Sequence, residues 1–110
     1  MIIGIWRAPR DNARPLEDYK KFQHDVVVPE MKTVKGCLGI INFHTEAEWG
    51  TIQIWESREA DEAEDTSPQS KRIGEKLAAL GLLHQGQGPY ETVDVPNGFA
   101  HKELLEKFMK

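Results

Sequence analysis

Four stretches of the chain are rich in β-branched and aromatic residues and end at turn-forming residues, which is the pattern of β-strands. The first, IIGIWRA at residues 2–8, stops at Pro9, and CLGIINFH follows at residues 37–44. The third, GTIQIWES at residues 50–57, is close enough to the second to form a hairpin with it. The fourth, PYETVDVP, covers residues 89–96. The pattern therefore predicts four short strands.

Between the first and second strands, apolar residues recur at the three- and four-residue spacing of a helix. They are Leu16, Tyr19, Phe22 and Val26. Pro15 suits the first turn of a helix, where its missing N–H is not needed. Pro29 is expected to kink or interrupt the helix, and Gly36 to end it. The prediction is one helix over residues 14–36 with a break near Pro29.

Helix signals also follow the third strand. Ser67 is a typical N-cap, Pro68 a typical first helical residue, and Gly81 a typical C-terminal stop. The acidic stretch at residues 58–65 is predicted to be a short helix whose carboxylates face solvent. A last amphipathic pattern predicts a helix over residues 98–110.

The order of these elements is β-α-β-β-α-β with a helical tail. This is the order of the ferredoxin-like, split βαβ arrangement, an α+β fold built on an antiparallel sheet. A chain of 110 residues is long enough for one domain, and no linker or repeat divides it. We therefore expect one domain over residues 1–96 and a helical tail over residues 97–110.

Apolar residues occupy both faces of the predicted sheet. In the first strand Ile2, Ile3 and Ile5 point to both sides, and in the second Ile40 and Ile41 do the same. Two helices cover one face of such a sheet, so the other face needs a partner, either the tail helix or the sheet of a second copy. A helix of about ten residues is too short to cover four strands. A homodimer closed into a two-chain α+β barrel is therefore expected.

Charge and composition limit the possible partners. The net charge is −4, and no short stretch concentrates Lys and Arg. Nucleic acids and anionic membranes need a concentrated positive surface, so neither is expected as a partner. No stretch approaches the roughly 18 apolar residues of a membrane span. Cys37 is the single cysteine, which excludes an internal disulfide and fits a reducing compartment. A cytoplasmic protein is expected.

Three short motifs have a recognisable pattern. The passage from the first helix to the second strand reads VVVPEMKTVKGCLGI, with a proline and then a glycine before the strand. The end of the third strand reads IQIWESREA, and the second helix reads SPQSKRIGEKLAAL. Together with the fourth strand, these motifs resemble the antibiotic biosynthesis monooxygenase (ABM) domain of the dimeric α+β barrel superfamily. The resemblance covers residues 1–96.

Quinone-forming members of that family use no metal or flavin, so the resemblance implies that this chain needs no cofactor. Such members bind an electron-rich phenol or quinol in a small cavity, help it lose a proton, and let it react with oxygen. Their pockets hold an Asn, a Trp, a Tyr and an Arg. The corresponding positions here are Trp55 for the tryptophan, Thr51 for the asparagine, Asp61 for the tyrosine, and Ile73 or Gly74 for the arginine, with Arg72 nearby.

Candidate site residues follow from the pattern and the resemblance. Trp55 shares a strand face with Thr51 and Gln53, a mixture that suits a semi-polar cavity but also a packed tryptophan with one hydrogen-bond partner. His84, in the loop after the second helix, is the best-placed histidine for acid–base chemistry, although an ordinary loop histidine has the same setting. We predict Trp55 and His84 as catalytic residues. The predicted substrate-binding residues are Tyr19, Phe22, Asn42, Thr51, Gln53 and Arg72.

Other chemistries have no motif in the chain. No two histidines have the spacing of a metal site, so no metal is predicted. There is no G-x-G-x-x-G, P-loop or G-x-S-x-G motif, so neither a nucleotide cofactor nor a serine nucleophile is supported. Two functions stay open: a cofactor-independent monooxygenase acting on a small aromatic or quinol-like compound, and a non-catalytic small-molecule-binding or stress-related dimer. An isomerase or decarboxylase would suit the same cavity, because a fold does not fix a function.

Overall fold

The computed structural model describes residues 1–108 and contains one four-stranded antiparallel sheet. Its strands are β1 (Ile2–Pro9), β2 (Cys37–His44), β3 (Glu48–Trp55) and β4 (Glu91–Asp94). They are arranged in the order β2-β3-β1-β4, and every neighbouring pair is antiparallel. The predicted ferredoxin-like α+β fold is confirmed.

The helices occupy the predicted places with altered boundaries. They are α1 (Leu16–Phe22), α2 (Val28–Met31), α3 (Arg58–Glu64), α4 (Pro68–Leu80) and α5 (Lys102–Phe108), with a π-helical turn (Gln23–Val27) joining α1 to α2. None of the helices within residues 1–108 is long and apolar enough to cross a membrane. The last two residues of the predicted tail helix lie outside the described residues.

The predicted break near Pro29 is a change of helix type. The π-helical turn Gln23–Val27 comes directly before Val28 and Pro29. A proline ring crowds the carbonyl four residues earlier and leaves it without an N–H partner. The wider π turn accommodates that carbonyl without ending the helix. Gly36 then turns the chain into β2 with φ of 85°, a conformation that suits glycine.

The caps of α3 and α4 agree with the sequence signals. Oγ of Ser57 accepts a hydrogen bond from the backbone N–H of Ala60, and Oγ of Ser67 accepts one from Ser70. Gly81 ends α4 in the left-handed conformation, with φ of 66°. The start and end of α4 are therefore as predicted.

The hairpin between β2 and β3 is tighter than predicted. Oγ1 of Thr45 accepts hydrogen bonds from the backbone N–H groups of Ala47 and Glu48, so the turn is short and β3 begins at Glu48 rather than at Gly50. At the other end of β2, Leu38 forms a bulge and its side chain is exposed.

The core lies between the helices and the inner face of the sheet. Trp49 is at its centre, 1% exposed, with ring centroids 5.1 Å from those of Trp6 and Tyr19 and 5.9 Å from that of Phe22. Trp55 is fully buried on the same face. Such edge-on and tilted aromatic contacts stabilise the core beyond their buried area, and they fix the position of the strands relative to α1.

The outer face of the sheet is also apolar, as predicted. Ile3 pairs with Ile54 and Ile5 with Ile52, and their side chains point away from the helices. None of the described side chains of α5 is buried. Phe108, for example, is 55% exposed. The tail helix therefore leaves this outer face uncovered.

Candidate functional site

A cavity of about 480 Å³ lies between the inner face of the sheet and the helices. Its apolar wall includes Trp6, Phe22, Met31, Trp49 and Leu77. Its polar lining includes Thr51, Gln53, Glu64, Asp65, Gln87 and Tyr90. The volume and the mixed lining are typical of a site for a small organic molecule.

The aromatic wall comes from two strands and a helix. Trp6 on β1 lies opposite Thr51 on β3, and Trp49 is the next inward-facing residue of β3. Phe22 reaches the same space from the end of α1. The indole N–H of Trp6 donates to Oε1 of Gln87 at 2.9 Å, which ties the loop before β4 to this wall. Flat rings on these elements suit a flat aromatic ligand.

The polar end of the cavity is organised around Gln53. The indole N–H of Trp55 donates to Oε1 of Gln53 at 3.1 Å, and the hydroxyl of Tyr90 lies 3.1 Å from the same oxygen. Because an indole N–H only donates, this contact fixes which end of the Gln53 amide is the oxygen. Among residues 1–108 nothing accepts from Nε2 of Gln53, so this amide group retains donors for a ligand oxygen.

Tyr90 is held in place by a buried carboxylate. Its hydroxyl donates to Oδ1 of Asp61 at 2.7 Å, and Asp61 is 6% exposed. The prediction that the acidic stretch is a solvated face is therefore wrong for Asp61, which turns inward from α3. Burial and this hydrogen bond both hold the pKa of Tyr90 above its usual range, so the phenol stays a neutral donor.

A glycine makes room for that phenol. Gly4 on β1 lies opposite Gln53, and a Cβ atom added there would stand 1.8 Å from the Tyr90 hydroxyl oxygen. No side chain fits at this distance, so Tyr90 reaches Gln53 and Asp61 only because position 4 is glycine.

Glu64 brings an ionisable group into the cavity. It ends α3 and is half-buried. Burial raises its pKa to about 7, with the nearby negative charges of Asp65 and Asp61 adding to the rise and a hydrogen bond with Ser70 opposing it. Within residues 1–108 no Lys, Arg or His lines this cavity. The lining therefore favours a neutral or cationic ligand over an anion.

Three of the predicted binding residues, Phe22, Thr51 and Gln53, line the cavity. Tyr19 and Asn42 do not. The Tyr19 hydroxyl accepts from the backbone N–H of Asp11 at 2.8 Å, and Oδ1 of Asn42 accepts from Oγ1 of Thr51 at 2.9 Å. Asn42 therefore holds the side chain of Thr51, which lines the cavity, from the neighbouring strand β2.

Trp55, Arg72 and His84 lie outside the cavity lining. Trp55 is completely buried and reaches the site through its hydrogen bond to Gln53. The guanidinium of Arg72 binds the carboxylate of Glu30 on the exposed side of α4. His84 is exposed, although Leu83 beside it lines the cavity.

The lining residues that the sequence analysis did not identify include Trp6, Trp49, Glu64 and Tyr90. The two tryptophans were visible as inward-facing positions of neighbouring strands. Asp61 and Glu64 are three apart and so share one face of α3. Tyr90 gave no local signal, because its contacts with Asp61 and Gln53 span 29 and 37 residues of sequence. Among the described residues, no group of three or more His, Cys, Asp or Glu is placed to hold a metal ion.

Comparison with known proteins gives structural relatives only. No protein-family model matches the chain, and no curated protein matches it. A protein of unknown function from Nitrosomonas europaea, NE2512, superimposes with a TM-score of 0.71 at 12% identity over 91% of this chain and 93% of that one. The ActVA-Orf6 monooxygenase of Streptomyces coelicolor, solved with the ligand Nanaomycin D, gives 0.66 at 21% identity over 91% and 90%.

A third relative is SnoaB, a cofactor-independent oxygenase from Streptomyces nogalater, with a TM-score of 0.66 at 8% identity over 91% of this chain and 97% of that one. Identities at this level establish a shared fold and leave the chemistry to the site. The chain is thus similar in architecture to antibiotic biosynthesis monooxygenases and has the α+β fold of an ABM-like domain.

Proposed function

We propose that this protein is a cofactor-independent monooxygenase that oxidises a small aromatic, quinol-like compound. The observation that carries the proposal is the cavity itself, which has an aromatic wall of Trp6, Trp49 and Phe22 and the polar groups of Gln53 and Tyr90 in its lining. The same fold is found in the cofactor-independent oxygenase SnoaB. No basic group among the described residues lines the cavity, which suits a neutral, electron-rich ring.

The polar end suits a ligand that carries a hydroxyl or carbonyl oxygen. Nε2 of Gln53 supplies donors, and the Tyr90 hydroxyl remains a neutral phenol at this end. Removal of a proton from a phenolic ligand makes its ring rich enough in electrons to react with dioxygen. In a monooxygenation of a phenol, one oxygen atom becomes the new carbonyl of a quinone and the other leaves as water. Donors aimed at the ligand oxygen stabilise the charge that develops during this reaction.

We further propose that the protein works as a homodimer. The outer face of the sheet presents Ile3, Ile5, Ile52 and Ile54, and the tail helix does not cover it. A second copy of the same face would bury these side chains, and a twofold axis makes such a surface complementary to itself. The barrel so formed leaves each cavity on the helix side of its own sheet.

The proposal is tested by oxygen uptake with a panel of hydroxynaphthalenes and naphthohydroquinones, measured against blanks without protein. The expected result is uptake above the blank rate, with one dioxygen consumed per quinone formed and no hydrogen peroxide released. Equal rates with and without protein across the panel would contradict it. Hydrogen peroxide in the same amount as quinone would indicate an oxidase instead.

Gly74 allows the cavity to be filled without disturbing the core. It is exposed and lines the cavity, and an added Cβ there would meet no atom within 4 Å. Gly74→Trp is expected to abolish binding and oxygen uptake while leaving the fold intact, because glycine inside a helix is itself unfavourable. Gly98→Trp is the matched control, since position 98 is equally open but lies outside the cavity. Full activity in Gly74→Trp would show that the chemistry occurs elsewhere.

A non-catalytic binding dimer is the second candidate function. Two substitutions favour it: the ABM pattern has Asn and Tyr at two pocket positions, and this chain has Thr51 and Asp61 there instead. This reading predicts that aromatic ligands raise the melting temperature without any oxygen uptake. Enzyme-dependent quinone formation would exclude it.

A further inference from the structure

Glu64 has two sides that open to different spaces. One faces the aromatic cavity, and the other faces a groove of about 250 Å³ on the surface, which is lined by Thr33, Lys35, Ser67 and Gln69 among others. Within residues 1–108, Glu64 is the one residue that lines both. A carboxylate in this position can be reached both from the cavity and from the surface groove.

We propose that Glu64 is the proton acceptor of the site, taking the hydroxyl proton of a neutral phenolic ligand in the cavity and releasing it through the outer groove. This proposal rests on the proposed function for the identity of the site. The ligand class is a weakly acidic aromatic alcohol, such as a naphthol. In the step itself the ligand O–H bond breaks, a new O–H bond forms on a Glu64 carboxylate oxygen, and the electron pair stays on the ligand oxygen. The resulting phenolate then lies beside Nε2 of Gln53.

The neighbours of Glu64 suit this role. The charged and titratable groups around Glu64 come from several elements. Asp61 lies on α3 and Asp65 at its C-terminal end, and Lys35 lies across the groove. Cys37 is at the start of β2, and Tyr90 precedes β4. Asp61 is occupied by the Tyr90 hydroxyl, and Asp65 is exposed. Glu64 is thus the half-buried carboxylate available to a ligand, and a pKa of about 7 matches an acceptor that must both take and release a proton near neutral pH.

The test uses 1-naphthol binding, which needs no oxygen and is followed by quenching of tryptophan fluorescence. Below the pH at which the naphthol itself ionises, an ionised Glu64 accepts its hydrogen bond more strongly than a protonated one. Wild-type affinity is expected to rise about fivefold or more as the pH passes through about 7. Glu64→Gln should bind with an affinity that changes less than about twofold over the same range. Glu62→Gln, the matched control at an exposed carboxylate of α3 outside the cavity lining, should keep the wild-type pH dependence.

Oxygen uptake with the same compound gives the second readout. Glu64→Gln is expected to lower the rate of naphthol oxidation about a hundredfold or more, and to remove the inflection near neutral pH. Circular dichroism confirms that the variant is folded. If Glu64→Gln keeps the pH dependence of binding, or if wild-type binding is independent of pH, the role of Glu64 is overturned while oxygen uptake still supports the proposed function. If 1-naphthol does not bind at any pH, the role of Glu64 is overturned, whereas the proposed function is overturned separately by equal oxygen uptake with and without protein across the panel.

Discussion

The hydroxyl of Tyr90 lies 2.7 Å from Oδ1 of Asp61, a residue that is only 6% exposed. This contact joins the loop before β4 to α3 across the polar end of the cavity. It also places a tyrosine hydroxyl beside the position where the ABM pattern has a tyrosine of its own. The phenol at this site comes from a different part of the chain, and Gly4 provides the space for it.

Loss of the Tyr90 hydroxyl should destabilise the protein. In Tyr90→Phe the buried carboxylate of Asp61 has no hydrogen-bond partner at this position, which costs roughly 1–3 kcal/mol of unfolding free energy. Urea denaturation measures the difference. In Tyr90→Phe combined with Asp61→Leu, part of the loss should be recovered because no polar group is then left unpaired. Equal stability of Tyr90→Phe and wild type would show that the contact does not hold the loop.

Gly4 should be intolerant of even one methyl group. Gly4→Ala would push the Tyr90 ring away from Asp61 and Gln53, because the new Cβ would lie 1.8 Å from the present hydroxyl position. The expected result is a loss of naphthol affinity together with a lower melting temperature. Gly39→Ala is the control, since its Cβ would meet only Cδ1 of Ile54 at 3.9 Å. If both variants bind naphthol as the wild type does, the position of Tyr90 does not determine the site.

Stability should depend on pH through Glu64. Its pKa is raised from 4.5 to about 7 in the folded chain, so between these values the folded state holds a proton that the unfolded state has lost. Unfolding free energy from this group therefore falls as the pH rises from 4.5 to about 7 and then stays low. Glu64→Gln lacks this titration. The melting temperature of the variant minus that of the wild type should therefore increase by a few degrees as the pH rises from 4.5 to about 7, on the order expected for about 1 kcal/mol. A difference that is constant with pH would contradict the shifted pKa.

A charge on the outer sheet face should separate the proposed dimer. Ile5 pairs with Ile52 at the middle of that face, and Ile5→Glu would place a carboxylate in the two-chain interface. Sedimentation should show twice the chain mass for the wild type and a single chain mass for Ile5→Glu. Leu80→Glu makes the same change at a residue that is 50% exposed on the helix side, and it should remain dimeric. A wild type that sediments as a single chain would contradict the proposed homodimer.

The fold was predictable because the elements are short and strongly patterned. Ser67, Pro68 and Gly81 bound α4 through local interactions that act within a few residues, so the sequence alone located this helix. The start of β3 was missed by two residues because the Thr45 side chain closes the hairpin early. β4 is shorter than predicted because it pairs only with β1, at the edge of the sheet.

The site was predictable only in part. Alternation along β3 placed Thr51 and Gln53 on the correct face, and both line the cavity. The same alternation does not distinguish a wall from a packed core, and Trp55 on that face is completely covered. Tyr90 and Glu64 belong to the cavity lining because distant segments of the chain meet there, and the periodicity of a sequence does not predict such contacts.

The central claim is that this cavity oxidises a phenol with dioxygen, and the most direct measurement uses ¹⁸O-labelled dioxygen with 1-naphthol. Mass spectrometry of the product should show one labelled oxygen atom in the quinone, formed by wild type and by Gly98→Trp but not by Gly74→Trp. A quinone without label, or labelled quinone formed at the blank rate by all three proteins, would contradict the claim.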